Sequence, residues 1–387
     1  MATELTLDDL DALAADRGAG WAALREAGRL VRIGDIHYVS HRDDVEYVLR
    51  HHELFSSKQA FDSLGSPMPM LPIAYDPPEH TRYRKILQPF FGPRPLAAML
   101  PALQGQIADL IDPIAARGHC EVNAELAVPY PSQVFLSLFG LPLADRDRLI
   151  GWKSAVIAMS GQAAALEGAD LTPALELFGY LSEHIQAKRA DPADDVLSHL
   201  LTGEDALDDT EALGLGFLFV LAGLDTVTAT IGFALHALAR DPALRHQLGQ
   251  EPDRLAAFVE EVVRLEPAAP FLPRVTTRDV ELAGETLPAG TLVHVCVGAA
   301  NRDPHENPGP DQVDLHRAVP RHWGFGGGAH RCLGMHLARL ELTLVLNTWH
   351  ARIPEYEVTP GTRPRIQWPA NTFSLESLEL SFPADVR

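Results

Sequence analysis

The sequence predicts a mainly α-helical fold with small β-sheets, on three observations. Apolar residues recur three and four apart over seven segments, only two stretches read as strands, and 46% of the 387 residues are hydrophobic against 22% charged. Such a chain can bury a large core. No repeat, low-complexity linker or composition shift divides it, so residues 1–387 are expected to form a single domain.

In chain order, Leu30-Val31-Arg32-Ile33 and Ile36-His37-Tyr38-Val39 flank Gly34-Asp35 and read as a β-hairpin. Helical spacing covers 43–51, 96–116, 133–139, 175–187, 210–239, 252–265 and 333–349. A second β-like patch spans 280–297, with turns at Gly284 and at Pro288-Ala289-Gly290. Between Phe55 and Pro78 the chain is broken by prolines and Gly65, yet it carries Phe61, Leu64, Met68, Met70, Leu71 and Ile73. A solvated linker would not be so apolar, so this stretch is expected to fold over something greasy.

Lys and Arg number 32 and Asp and Glu 52, a net charge of 32 − 52 = −20, which argues against nucleic acid or an anionic membrane as the main partner. Three widely spaced cysteines, Cys120, Cys296 and Cys332, make no disulfide framework and point to a reducing cytoplasm. The first twenty residues contain acids and no apolar run, so neither a secretory signal nor a membrane anchor is expected there.

From Leu213 to Ala239 only Asp225 and His236 can carry charge, which suits either a membrane span or the central helix of a soluble domain. Asp208-Asp209-Thr210-Glu211 supplies cap candidates and acids at its start. In its middle, Ala222-Gly223-Leu224-Asp225-Thr226 places a glycine, an acid and a hydroxyl where an apolar helix would avoid them. Rule-breaking residues of this sort mark a site. Thr226 can bond back to a carbonyl one turn earlier and, with Gly223, locally open or bend the helix.

The second dense region is Phe325-Gly326-Gly327-Gly328-Ala329-His330-Arg331-Cys332-Leu333-Gly334. Successive glycines let backbone approach a flat ligand, and a thiol where the next helix begins is favoured as thiolate by orphan N–H groups. Two rival readings stay open: an inert cysteine beside a flexible loop, and a zinc site from His322, His330, Cys332 and His336, whose spacing fits no paired-ligand pattern. Phosphate binding finds no following GK[ST].

This second region resembles, position by position, the haem-binding signature of the cytochrome P450 superfamily. Ala222-Gly223-Leu224-Asp225-Thr226 is similar to the family's oxygen-activation motif, and Glu261-Val262-Val263-Arg264 to its ExxR pair. The 313–317 segment resembles the one that supplies a second arginine, Arg317, and the 76–84 segment resembles the C-helix entrance of bacterial members. The resemblance covers nearly the whole chain and implies the family's fold, with haem b between the long central helix and the cysteine loop.

It further implies that Cys332 is the axial thiolate, and that His80, Arg84, Arg274 and His330 meet the haem propionates as cations. Phe325 would shield the sulfur. Gly328, Gly334, Ala222 and Gly223 would let backbone pack on the haem, and Thr226 and Asp225 would move protons to O2. Glu261, Arg264 and Arg317 would form a buried charged scaffold. Substrate contacts are expected from Phe61, Leu64, Met68, Met70, Leu71, Leu218, Leu221, Pro270, Phe271, Asn371 and Thr372.

The implied enzyme is a soluble bacterial-type monooxygenase hydroxylating or oxidatively demethylating a lipophilic small molecule. Electrons would pass from NAD(P)H through a ferredoxin reductase and a ferredoxin that docks near Arg84 and Arg331; the enzyme is expected to be a monomer. Rival readings are a peroxide-driven relative, which usually lacks the acid and threonine pair, and a haem-binding sensor without turnover.

Overall fold

The computed structural model describes residues 2–58, 60–61, 70–160, 170–318 and 321–384. The helices that build the site are α1 (Arg17–Ala27), α2 (Arg42–Arg50), α3 (Glu79–Leu87), α4 (Pro93–Arg117), α5 (Pro129–Phe139), α6 (Arg146–Ser160), α7 (Thr172–Ala190), α8 (Asp209–Arg240), α9 (Leu255–Leu265) and α10 (Met335–Arg352). All seven segments with helical spacing are helices, with ends shifted by a few residues. The mainly helical architecture with small sheets is the one the sequence predicts.

The largest sheet has six strands: β1 (Thr3–Leu5), β2 (Leu30–Ile33), β3 (Ile36–Val39), β4 (Phe55–Ser56), β5 (Phe271–Thr276) and β6 (Leu292–Cys296), in the order β1-β2-β3-β6-β5-β4. The hairpin pairs Leu30 with Val39 and Ile33 with Ile36, and Gly34 takes a φ of 58° in the turn. Residues 280–282 and 285–287 form a separate two-stranded ribbon, and a three-stranded sheet joins 119–121, 379–381 and 357–358.

Helix α8 runs unbroken for 32 residues through the middle of the molecule. Its start is a full capping box: Asp208 Oδ1 accepts from the Glu211 N–H at 2.8 Å, and the Asp208 N–H donates to Glu211 Oε2 at 3.0 Å. It is long and apolar enough to cross a membrane, yet two-thirds of its most apolar stretch is buried by the rest of the chain. Phe233, Leu235 and Leu238 pack into one core with Trp21 of α1, Phe258 of α9 and Trp349 of α10. The other end of the helix, Phe217 to Leu224, packs against α5, α6 and α7.

Candidate active site

Between α8 and the loop before α10 lies a cavity of about 440 Å³, within the ~300–1,000 Å³ of small-molecule sites. Cys332, Phe325 and Gly334 line it from the loop; Leu218, Leu221, Ala222, Gly223 and Thr226 line it from α8. Chain segments 110 residues apart thus meet in one apolar chamber.

The cysteine sits at the end of a tight turn, where its N–H donates to the Phe325 carbonyl at 2.7 Å. The following helix starts at Met335, three residues beyond the cysteine. Its N-cap residue still reaches the thiol: burial pushes Cys332 up, opposed by the Gly334 N–H and by the charges of Arg84 and Arg339.

Gly328 faces elsewhere. Its φ is 60°, and a Cβ there would meet the Leu49 carbonyl oxygen of α2 at 2.0 Å, so it lets the loop pack on α2 and does not touch the cavity. Gly223, by contrast, opens directly onto the chamber, with nothing within 4 Å of a Cβ built on it.

His80, Arg84, Arg274 and His330 converge on one wall of the cavity. The His80 and His330 rings lie 4.2 Å apart, and Ser57 Oγ is 3.2 Å from His330 Nε2. Arg274 is 5% exposed and burial pulls its pKa down to about 10. Burial, with Arg84 second, pulls His80 down to about 4, and burial with Arg274 lowers His330 as well. In this wall burial and the neighbouring arginines hold both imidazoles below their ordinary pKa. Among the described residues none of the four forms an ion pair, so an anionic group entering the cavity finds unmatched positive charge.

Across the chamber, Thr226 Oγ1 donates to the Ala222 carbonyl at 3.1 Å, the back-bond expected from its position, but α8 neither opens nor breaks there. Asp225 has a partner that sequence reasoning missed: Lys153 of α6, only 4% exposed, donates from Nζ to Asp225 Oδ1 at 2.5 Å. The pair spans 72 residues. The only available signal was a lysine between Trp152 and Ser154 in a segment with no clear apolar stripe.

The charged scaffold assembles as the motif implies. Glu261 and Arg264 are both fully buried and pair twice, at 2.7 and 2.9 Å, while Arg317 Nε donates to Glu261 at 3.1 Å. Arg264 also donates to the carbonyls of Asn301, Pro310 and Gln312, tying α9 to the chain that leads into the cysteine loop.

Of the expected substrate contacts, Phe61, Leu218, Leu221 and Thr372 line the cavity. Met70 and Leu71 are buried off the cavity, next to Pro72 and Ile73, which do line it. Leu64 and Met68 lie outside the described residues. Pro270, Phe271 and Asn371 do not line it; Phe271 turns to the other face of β5, into an aromatic cluster with Trp21, Tyr38 and Phe373. Phe91, Phe135, Phe219 and Thr230 line the cavity unannounced by any motif. The zinc reading finds no support, because His322 bonds Glu260 at 3.1 Å, away from His330, and no three metal-ligating side chains gather among the described residues.

The cytochrome P450 family model matches residues 176–377, which include the whole of α8, the charged scaffold and the cysteine loop. The chain belongs to the cytochrome P450 family. A probable cytochrome P450 127A1 of Sinorhizobium fredii is 35% identical over 88% of this chain and 81% of its own. The vitamin D(3) 25-hydroxylase of Pseudonocardia autotrophica is 34% identical over 78% and 75%. Among solved structures, a mutant of P450 EryK in complex with erythromycin B superposes with a TM-score of 0.87 at 29% identity, covering 97% and 99% of the two chains.

The chain is thus a P450 monooxygenase, and membership implies a haem-thiolate cofactor. The residues present fit that group: a lone cysteine on the loop side, unmatched cations on one wall for two carboxylates, and an open glycine on α8.

Proposed function

We propose that this P450 hydroxylates or oxidatively demethylates an uncharged lipophilic small molecule, using O2 and electrons from NAD(P)H through a ferredoxin reductase and a ferredoxin. The single observation that carries the reading is that Cys332 and Thr226 line the same apolar cavity beside an unpaired cationic wall. The similarity to a vitamin D(3) 25-hydroxylase and to a P450 complexed with erythromycin B supports a bulky apolar substrate.

Haem bound to Cys332 would supply the oxygen-activating chemistry. Arg84 and Arg274 would hold its propionates by charge, and His80 and His330 by hydrogen bonds. Phe325 and Gly334 would shape the loop side and Ala222 and Gly223 the α8 side, with Gly328 fixing the loop on α2. Thr226 would hold a proton at its Oγ1 on the substrate side, and Asp225, tethered to Lys153, would exchange protons with it. Leu218, Leu221, Phe61 and Thr372 would orient the substrate and exclude water.

The same reading makes residues 1–387 a single cytoplasmic haem domain acting as a monomer. For ferredoxin docking it favours Arg331, which is exposed, over Arg84, which faces the cavity.

The test is the absorption spectrum of the haem-supplied protein, dithionite-reduced and exposed to carbon monoxide, followed by titration with lipophilic compounds. A strongly red-shifted Soret band supports thiolate ligation by Cys332, and a compound that shifts the spin state is a substrate lead. A protein that takes up no haem overturns the proposal.

A further inference from the structure

Helix α9 carries two adjacent acids, and the scaffold uses only one. Glu261 points inward to Arg264 and Arg317, whereas Glu260, about 100° away around the helix, reaches towards α10. Glu260 accepts a two-pronged bond from Arg339, Nε at 2.5 Å and Nη2 at 2.9 Å.

His322 supports the same carboxylate. Its Nδ1 accepts the Gly324 N–H at 3.1 Å, which leaves the ring proton on Nε2 to donate to Glu260 at 3.1 Å. Held in this way, the Arg339 guanidinium lies over the Phe325 ring, 4.6 Å from its centre, and Phe325 is the residue whose carbonyl receives the Cys332 N–H.

We propose that Glu260 and His322 position Arg339 as a fixed positive charge behind Phe325, where it steadies negative charge on the Cys332 sulfur and sets the reduction potential of haem bound there. The inference rests on the haem-thiolate reading above. Both ends of the clamp are ions at neutral pH: the bonds from Arg339 and His322 overcome burial and bring Glu260 to about 2, and Glu260 in turn raises Arg339. The charge rests on the ring of the residue that accepts the Cys332 N–H, where it acts with less screening than one in water. Charges and hydrogen bonds around an axial ligand tune its donor strength.

Redox titration of the haem-loaded protein tests the clamp by sign. Glu260→Gln keeps the shape but removes the neutralising anion, so the potential should rise; Arg339→Gln should lower it. Arg339→Lys should restore most of the loss, and the double variant should return towards the parent. Each single change should alter the ferrous to ferric ratio at fixed potential by at least threefold, about 30 mV for one electron.

Unchanged potentials, or shifts of one sign in both variants, overturn the clamp. If Arg339→Gln takes up no haem, Glu260→Gln decides: a potential equal to or below the parent's overturns the role. The carbon monoxide band separates the two levels. Its absence in the parent protein sinks the haem-thiolate reading, whereas a retained band with unmoved potentials sinks only the clamp.

Discussion

Glu261→Gln is expected to remove about 3–5 kcal/mol of folding stability. The carboxylate accepts four bonds: Arg264 Nε and Arg317 Nε on Oε1, and Arg264 Nη2 and the Asp314 N–H on Oε2. A glutamine of equal size keeps one acceptor oxygen and turns an amide NH2 towards two donors, whichever way it flips. Two charge-assisted bonds at about 1.5–3 kcal/mol each give ~3–6 kcal/mol, in agreement with the cost of breaking a buried pair. That is roughly two to four orders of magnitude in the folding equilibrium.

Guanidinium unfolding, followed by far-ultraviolet circular dichroism and by tryptophan fluorescence, measures the loss. Coincident curves license the conversion to free energy. A companion variant, Glu261→Leu with Arg264→Met and Arg317→Leu, should not recover the loss, since the carbonyls of Asn301, Pro310 and Gln312 and the Asp314 N–H lose their partners in it. A Glu261→Gln protein within about 1 kcal/mol of the parent would refute the reasoning, because such a value belongs to exposed pairs.

Thr226→Ala should keep haem but uncouple NAD(P)H consumption from product; an unchanged ratio of product to NAD(P)H counts against a proton-holding role for the hydroxyl. Cys332→Ala should abolish the red-shifted carbon monoxide band while the apoprotein retains its helical dichroism, and a surviving band would place the ligand elsewhere. His294, on β6, is brought down to about 4 by burial alone. The unfolded imidazole takes up its proton near pH 6.5, so stability should fall as pH drops from 6.5 towards 4. Taken alone, this group removes about 2 kcal/mol between pH 7 and 5. His294→Gln should flatten that dependence, as read from unfolding midpoints at the two pH values; an unflattened profile would mean that the imidazole is not held neutral.

The parts legible in the sequence were those with a local cause. Gly34-Asp35 announces its hairpin because only a tight turn wants that pair between two apolar runs, and the Asp208 to Glu211 spacing marks the start of α8. Cys332, the glycines and Ala222 to Thr226 stood out because each violates a local preference. Contacts set by parity or by distant partners were illegible. Phe271 and Leu272 are neighbours on β5, so only one can face the cavity, and the choice falls to Leu272 by a register the sequence does not state. Lys153 beside Trp152 gave only a faint sign of its importance, since its partner lies on another helix and α6 shows no clear apolar stripe. Glu260 was hidden beside Glu261, two identical side chains aimed at different partners by the helical turn between them.

The contact between Gly328 and Leu49 also bears on how such an enzyme can be re-engineered. Gly327 and Gly328 both abut Leu49, at the last turn of α2, nearly three hundred residues earlier in the chain. The cysteine loop and the end of α2 therefore behave as one exchangeable module. A loop transplanted from a relative without its own α2 terminus would bring backbone shaped for a different neighbour, and would move the sulfur through a mismatch that lies outside the pocket.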